Sequence, residues 1–187
     1  MRALTRRTAV GVSAAAVGVA LLPIAGAQAE SGVPSTEPAA PAVVAPPVVP
    51  GPTRAELRHA RAEVLRKKLI QLAKYKGRTW QYVAGGAGPN SGDCSGFVMY
   101  LVKKTTHRNL PHFSGAQMHA TKRVAKRNLL PGDLLFWGSN GGQHVSIYIG
   151  HGKMIGANNP SRDVVIEPIH SSYWSPRYAG AGRIIFG

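Results

Sequence analysis

The sequence predicts an α+β fold, with helices first and a largely antiparallel sheet of about five strands last. Three observations carry this. Residues 54–76 repeat apolar side chains at helical spacing, and a second apolar run follows the single cysteine, Cys94. Beyond Pro131 the pattern shortens to brief runs rich in Val, Ile and aromatic residues, separated by Gly, Asn and Pro. Helical segments followed by consecutive strands are the signature of an α+β layer arrangement.

The elements follow in chain order. Arg2, Arg6 and Arg7 precede a small-residue apolar run from Ala9 to Ala27, and Ala27-Gln28-Ala29 has the form of a signal-peptide cleavage site. Residues 1–29 are therefore expected to be an export signal, with no membrane span once it is removed. Its loss takes three arginines and no acid, lowering the formal charge from +15 to +12. An excess of that size attracts polyanions, and export points to anionic wall polymers and away from nucleic acid.

Residues 30–53 carry seven of the chain's prolines or their Ala/Val spacers and are expected to form an extended linker. Residues 54–76 are expected to form a basic amphipathic helix capped by Thr53 and ended by Gly77. Leu57, Ala60, Val64, Leu65, Leu69 and Leu72 would pack, and Arg54, Arg58, Arg61, Arg66, Lys67, Lys68 and Lys74 would form a solvated face. Residues 77–187 are read as the functional domain.

Within that domain, Gly85, Gly86, Gly88 and Gly92 form a turn that leads into Asp93-Cys94-Ser95-Gly96-Phe97-Val98. Asp93 is a helix N-cap by chemistry. Cys94 therefore falls in the first helical turn, where unpaired N–H groups and the dipole favour thiolate. An exported chain with one cysteine has no internal disulfide to make, so the thiol is free, paired to another molecule or used for its chemistry, and an oxidising compartment favours the last. Further on, Ser114 with Gln117 suggests a capped short helix to about Lys122. Strands are expected over 134–137, 144–149, 154–157, 164–167 and 178–186. In the second, alternation places His144, Ser146 and Tyr148 on a more polar face, opposite Val145, Ile147 and Ile149. An imidazole held there is suited to take the proton of a thiol. None of the other histidines shows metal-ligand spacing with Cys94, so no metal is expected, and thiol–imidazole chemistry needs no cofactor.

Trp80-Gln81-Tyr82-Val83 with Gly85-Gly86, then Asp93-Cys94-Ser95-Gly96-Phe97-Val98, Leu130-Pro131-Gly132-Asp133-Leu134 and His144-Val145-Ser146-Ile147-Tyr148-Ile149-Gly150 resemble the NlpC-type family of bacterial cell-wall cysteine peptidases. The resemblance spans roughly residues 74–186. It implies a papain-like fold with the nucleophile Cys94 at a helix N-terminus and His144 as general base and acid. Tyr82, Asp93 and Ser95 would contact the substrate. The implied substrate is peptidoglycan, cut in the stem peptide between a γ-linked D-glutamate and a diamino acid, by a secreted, wall-associated monomer.

One position departs from the pattern. The family usually carries a polar residue twelve positions after the histidine, and here that residue is Gly156. Asn158 shares its strand face about 6–7 Å further along and is the candidate to orient His144. Two other functions fit the same motifs: an N-acetylmuramoyl-L-alanine amidase, and a wall-binding module whose site has decayed at Gly156. The presence of both Cys94 and His144 weighs against the second.

Overall fold

A computed structural model describes residues 50–187. The expected export signal and nearly all of the 30–53 segment lie outside the described residues. The described elements belong to one compact unit.

Helix α1, Arg54–Lys76, opens on a capping box. The Thr53 hydroxyl accepts from the Glu56 N–H at 3.3 Å, and the Glu56 carboxylate accepts from the Thr53 N–H at 2.6 Å. Its packing face differs from the one expected. Ala62, Arg66, Leu69 and Ala73 are buried, whereas Leu57 and Val64 are exposed. Arg66 moves from the expected basic face to the interior because it meets buried partners there. Its guanidinium donates to Asp133 Oδ1 at 3.4 Å, to the Pro131 carbonyl and to the Ile185 carbonyl. Arg183 reaches the same carboxylate with two bonds of 2.8 Å. Asp133 is fully buried between these two arginines, which ties α1 to the sheet.

Helix α2, Cys94–Thr106, is the buried helix of the domain. Phe97, Val98, Leu101 and Val102 are enclosed, and His107 closes it in the left-handed conformation. Helix α3, Ser114–His119, has Phe113 at its N-cap with no side-chain cap bond. The expected Ser114–Gln117 box does not form. Gln117 is instead fully buried, donating to the carbonyls of Ser95 and Pro111 at 2.9 Å each.

The sheet has six antiparallel strands rather than about five. They are β1 (Lys122–Val124), β2 (Leu134–Trp137), β3 (His144–Gly150), β4 (Lys153–Asn159), β5 (Asp163–Pro168) and β6 (Tyr178–Arg183), in the order β1-β6-β2-β3-β4-β5. The additional strand, β1, is three residues of Lys-Arg-Val paired with the edge of β6, too short and too charged to show as an alternating pattern. Helices α1 and α2 cover one face, where Phe136, Val145, Ile147, Ile155 and Ala157 complete the main core. The other face carries a second apolar cluster of Leu135, Trp137, Met154, Ile169, Trp174 and Ala181. The expected polar face of β3 is thus covered as well. Ser146 is fully buried there, accepting from the Trp137 indole at 3.0 Å.

One irregularity positions the site. β3 and β4 pair from Gly150↔Lys153 to Ile147↔Ile155 and no further, while β4 and β5 stay paired out to Asn159↔Asp163. The start of β3, His144 and Val145, is paired only with Trp137 and Phe136 of β2.

Candidate active site

The turn before α2 is built by close backbone approach. The Gly92 carbonyl accepts from the Trp80 indole at 3.0 Å, and Trp80 packs edge-on against Phe97. A Cβ on Gly96 would collide with the Gly86 carbonyl, so only glycine lets the first turn of α2 lie against the glycine loop. Asp93 fixes the junction. Its Oδ1 accepts from the Gly96 N–H (2.8 Å), the Ser95 hydroxyl (2.9 Å) and His112 Nε2 (3.1 Å), and its Oδ2 accepts from the Gly85 N–H (3.1 Å). Burial pulls the Asp93 carboxyl upward, but these hydrogen bonds outweigh it and hold the group below its ordinary range. Ser95 is buried, and its hydroxyl is turned onto Asp93.

Cys94 is the first residue of α2, half-buried, and unpaired with another cysteine. Its sulfur faces the Val145 N–H that the divergence of β3 from β4 leaves open, together with the N–H groups of Ser95 and Cys94 itself. The helix-start position was expected to lower the thiol's pKa. The structure reverses the sign: burial raises it, the nearby Asp93 charge adds to that, and the three backbone donors only partly offset them. Tyr82 lies close enough for burial, then the charges of Cys94 and Asp93, to push its phenol upward. The Tyr82 N–H is tied to Asp163 Oδ1 at 2.7 Å, which anchors this segment to the start of β5.

His144 adjoins Val145 and is almost fully enclosed, 7% exposed. Its ring stacks on Trp174, with centroids 5.0 Å apart and planes at 29°. Nε2 is buried and makes no hydrogen bond among the described residues. Burial lowers its pKa to about 4, against an opposing pull from Glu167. The imidazole is therefore neutral at neutral pH, and so is the Cys94 thiol.

Asn158 was expected to orient His144. It shares the neighbourhood without hydrogen-bonding the ring. Its Nδ2 donates to Glu167 Oε2 at 2.6 Å. The same oxygen accepts from the Trp174 indole at 2.9 Å, and Oε1 accepts from Arg162 at 2.6 Å. A Cβ on Gly156 would lie 3.2 Å from His144 Nε2 and 3.5 Å from Asn158 Oδ1, so both atoms border one small space. The structure thus gathers Cys94, His144, Asp93, Ser95 and Tyr82 around the start of α2 and β3, with Asn158 behind the imidazole.

Sequence reasoning missed His112, Trp174 and Glu167. Their places depend on long-range packing. Glu167 reaches the site because it pairs with Met154 across β4–β5, and Trp174 because the segment after β5 folds back over the sheet.

A family model for NlpC/P60 matches residues 78–183. The chain belongs to the NlpC/P60 family. It is 38% identical over 117 residues to a probable endopeptidase p60 of Listeria welshimeri, a match covering 62% of this chain and 21% of that one. It is 35% identical over 124 residues to a murein DD-endopeptidase/murein LD-carboxypeptidase, MepS, of Escherichia coli K12, covering 66% and 64%. The solved peptidoglycan hydrolase RipB of Mycobacterium tuberculosis superposes with a TM-score of 0.58 at 28% identity, covering 74% of each chain. The match spans only about a fifth of the length of the p60 relatives. The α+β NlpC/P60 fold, with its antiparallel sheet and the helix that starts at Cys94, is the one the sequence predicts.

Proposed function

We propose that this chain is a secreted, wall-associated peptidoglycan hydrolase: a cysteine endopeptidase that cuts stem peptides, at the γ-D-glutamyl–diamino acid bond, as a monomer. The observation that supports the reading is the placement of Cys94 at the N-terminus of α2, near the N–H of Val145, the residue next to His144 in the chain. The names of two relatives, a peptidoglycan endopeptidase of Mycobacterium tuberculosis and the murein endopeptidase of Escherichia coli, support the same substrate class.

Both groups of the pair rest neutral, so the thiol proton moves as the sulfur attacks. Of the two ring nitrogens, Nε2 is the enclosed one, which leaves Nδ1 to take that proton. The S–C bond forms and the carbonyl oxygen gains the charge. The N–H groups at the start of α2 are placed to stabilise it. His144 then gives its proton to the departing amine as the C–N bond breaks, leaving a thioester. Water, deprotonated by the same imidazole, hydrolyses the thioester and returns the thiol. In this reading Tyr82 and Asp93 contact the substrate, and Ser95 acts by holding Asp93.

Digestion of diaminopimelate-containing peptidoglycan by the purified protein, beside Cys94→Ala, tests this by mass spectrometry. Fragments ending at D-glutamate, absent with the variant, are expected. Release of whole stem peptides from glycan would instead identify an amidase. Wall binding without cleavage would identify a binding module.

A further inference from the structure

Gly156 supplies no side chain to His144, yet a neutral imidazole that takes a proton on Nδ1 must carry its own hydrogen on Nε2. That N–H needs an acceptor, and the enclosed Nε2 has none within hydrogen-bonding distance among the described residues. The arrangement around it nevertheless has a single organising group. We propose that Glu167 is the positioning residue of this site, holding the edge of the His144 ring through Asn158 and its face through Trp174. The proposal rests on the cysteine-peptidase reading above.

The edge follows from elementary donor and acceptor chemistry. An ionised carboxylate only accepts, so the Asn158 atom 2.6 Å from Glu167 Oε2 is the amide nitrogen. The amide oxygen is thereby turned to the other side, toward the space that His144 Nε2 also borders. An asparagine with no partner on its nitrogen is free to present either end. With Glu167 behind it, only the acceptor faces the ring.

The face follows from the stack. Trp174 lies nearly parallel to the imidazole, and its indole N–H is tied to the same Oε2. Arg162 occupies Oε1. Burial raises the Glu167 carboxyl, but the bonds from Trp174, Asn158 and Arg162 outweigh it and keep the group ionised. The resulting negative charge favours a proton on His144. The charged group acting on the ring is Glu167 from β5, with Arg162 behind it. The orienting acid thus comes from β5, through Asn158, and not from position 156.

A merely structural Glu167, pinning the segment after β5 to the sheet, would lower stability and leave the ring's chemistry alone. Three readouts separate the two roles in the full-length protein: kcat and KM on peptidoglycan fragments, the pH profile of Cys94 alkylation by iodoacetamide, and the His144 tautomer by 15N NMR. In the wild type the Nε2–H tautomer is expected. Glu167→Ala is expected to lower kcat about tenfold or more with KM within about twofold, and to lose the single tautomer. Glu167→Gln, which keeps an acceptor for Asn158 or Trp174, is expected to retain the tautomer and most of kcat, with the imidazole titrating lower. In a chain already carrying Asn158→Ala and Trp174→Phe, Glu167→Ala should cost no more than about twofold further.

The proposal is overturned if folded Glu167→Ala keeps wild-type kcat, alkylation profile and tautomer. It is equally overturned if its effect adds in full to that of the other two substitutions. A wild-type protein that cuts no peptidoglycan refutes the endopeptidase reading alone, because alkylation and tautomer still report on Glu167.

Discussion

Gly156 and His144 are in such close apposition that a Cβ on the glycine would stand 3.2 Å from Nε2, and 3.1 Å from the Ser146 Cβ. The position is buried and its neighbours are packed on both faces of the sheet. Gly156→Ala must therefore push the imidazole or Ser146 aside by a few tenths of an ångström. A cost of about 1–3 kcal/mol is expected from such overpacking, together with slower Cys94 alkylation. Thermal unfolding and alkylation kinetics on the same preparation check this. An unchanged Tm with unchanged alkylation would show that the ring has room to spare.

The buried imidazole also makes stability depend on pH with a definite sign. His144 titrates at about 4 in the folded chain and near its ordinary 6.5 when unfolded. Between those values the unfolded state binds a proton that the folded state refuses. The contribution is intact above pH 6.5 and lost as pH falls toward 4, reaching ~3 kcal/mol below that point. His144→Gln should flatten this part of the curve. Asp93 and Glu167 have lowered pKa values, so their losses set in at lower pH, from the ordinary carboxylate range downward. Subtracting the variant's denaturation curve from the wild type's isolates His144. At the alkaline end, burial of Cys94 means its alkylation rate should keep climbing beyond the ordinary thiol range.

The chemistry of this chain is legible wherever it is written locally. Asp93 as N-cap, Cys94 as first helical residue and His144 at the head of a strand each follow from a few neighbouring residues, and the structure has them so. Four of the five expected strands match to within two residues at either end, and the fifth, expected over 178–186, ends at Arg183 instead. What was not legible depends on contacts across the fold. Leu57 and Val64 have the right spacing for a buried face, but Arg66 turns α1 because a fully buried Asp133 awaits it 67 residues away. The thiol's raised pKa is not legible for a similar reason: the helix start is local, while the burial that outweighs it is tertiary.

Asp133 shows how strongly that long-range network is expected to matter. It is completely enclosed and compensates two arginines, Arg66 and Arg183. Asp133→Ala leaves the enclosed Arg66 guanidinium without its carboxylate, a change that costs about 3–5 kcal/mol in comparable buried pairs. Because Arg66 is the polar link from α1 to the sheet, limited proteolysis should then cut within α1 first. Arg66→Met, which removes the charge but keeps the stem, should cost less. Equal unfolding midpoints for wild type and Asp133→Ala would show that the network contributes nothing.

The surface offers a place for the polyanion that the charge of the chain leads one to expect. Arg58 and Arg61 of α1 and Arg108, just past the end of α2, ring a pocket of about 260 Å³ floored by Ala62, Leu65, Ile184 and Ile185, with no carboxylate among the described residues that line it. Arg108 is held there by the Ile184 carbonyl at 2.9 Å. Since Cys94 is at the opposite end of α2, about 20 Å of helix separates this cluster from the nucleophile. Replacing all three arginines by Gln should weaken binding to phosphate-bearing wall polymer by about three- to tenfold at low salt, and reduce its salt dependence. Cleavage of small soluble muropeptides should stay unchanged, since such substrates do not reach the cluster. Sedimentation with purified walls, with and without their anionic polymers, measures the first effect, and muropeptide digestion measures the second. Equal binding by both proteins at every salt concentration would remove this pocket as the anchoring surface.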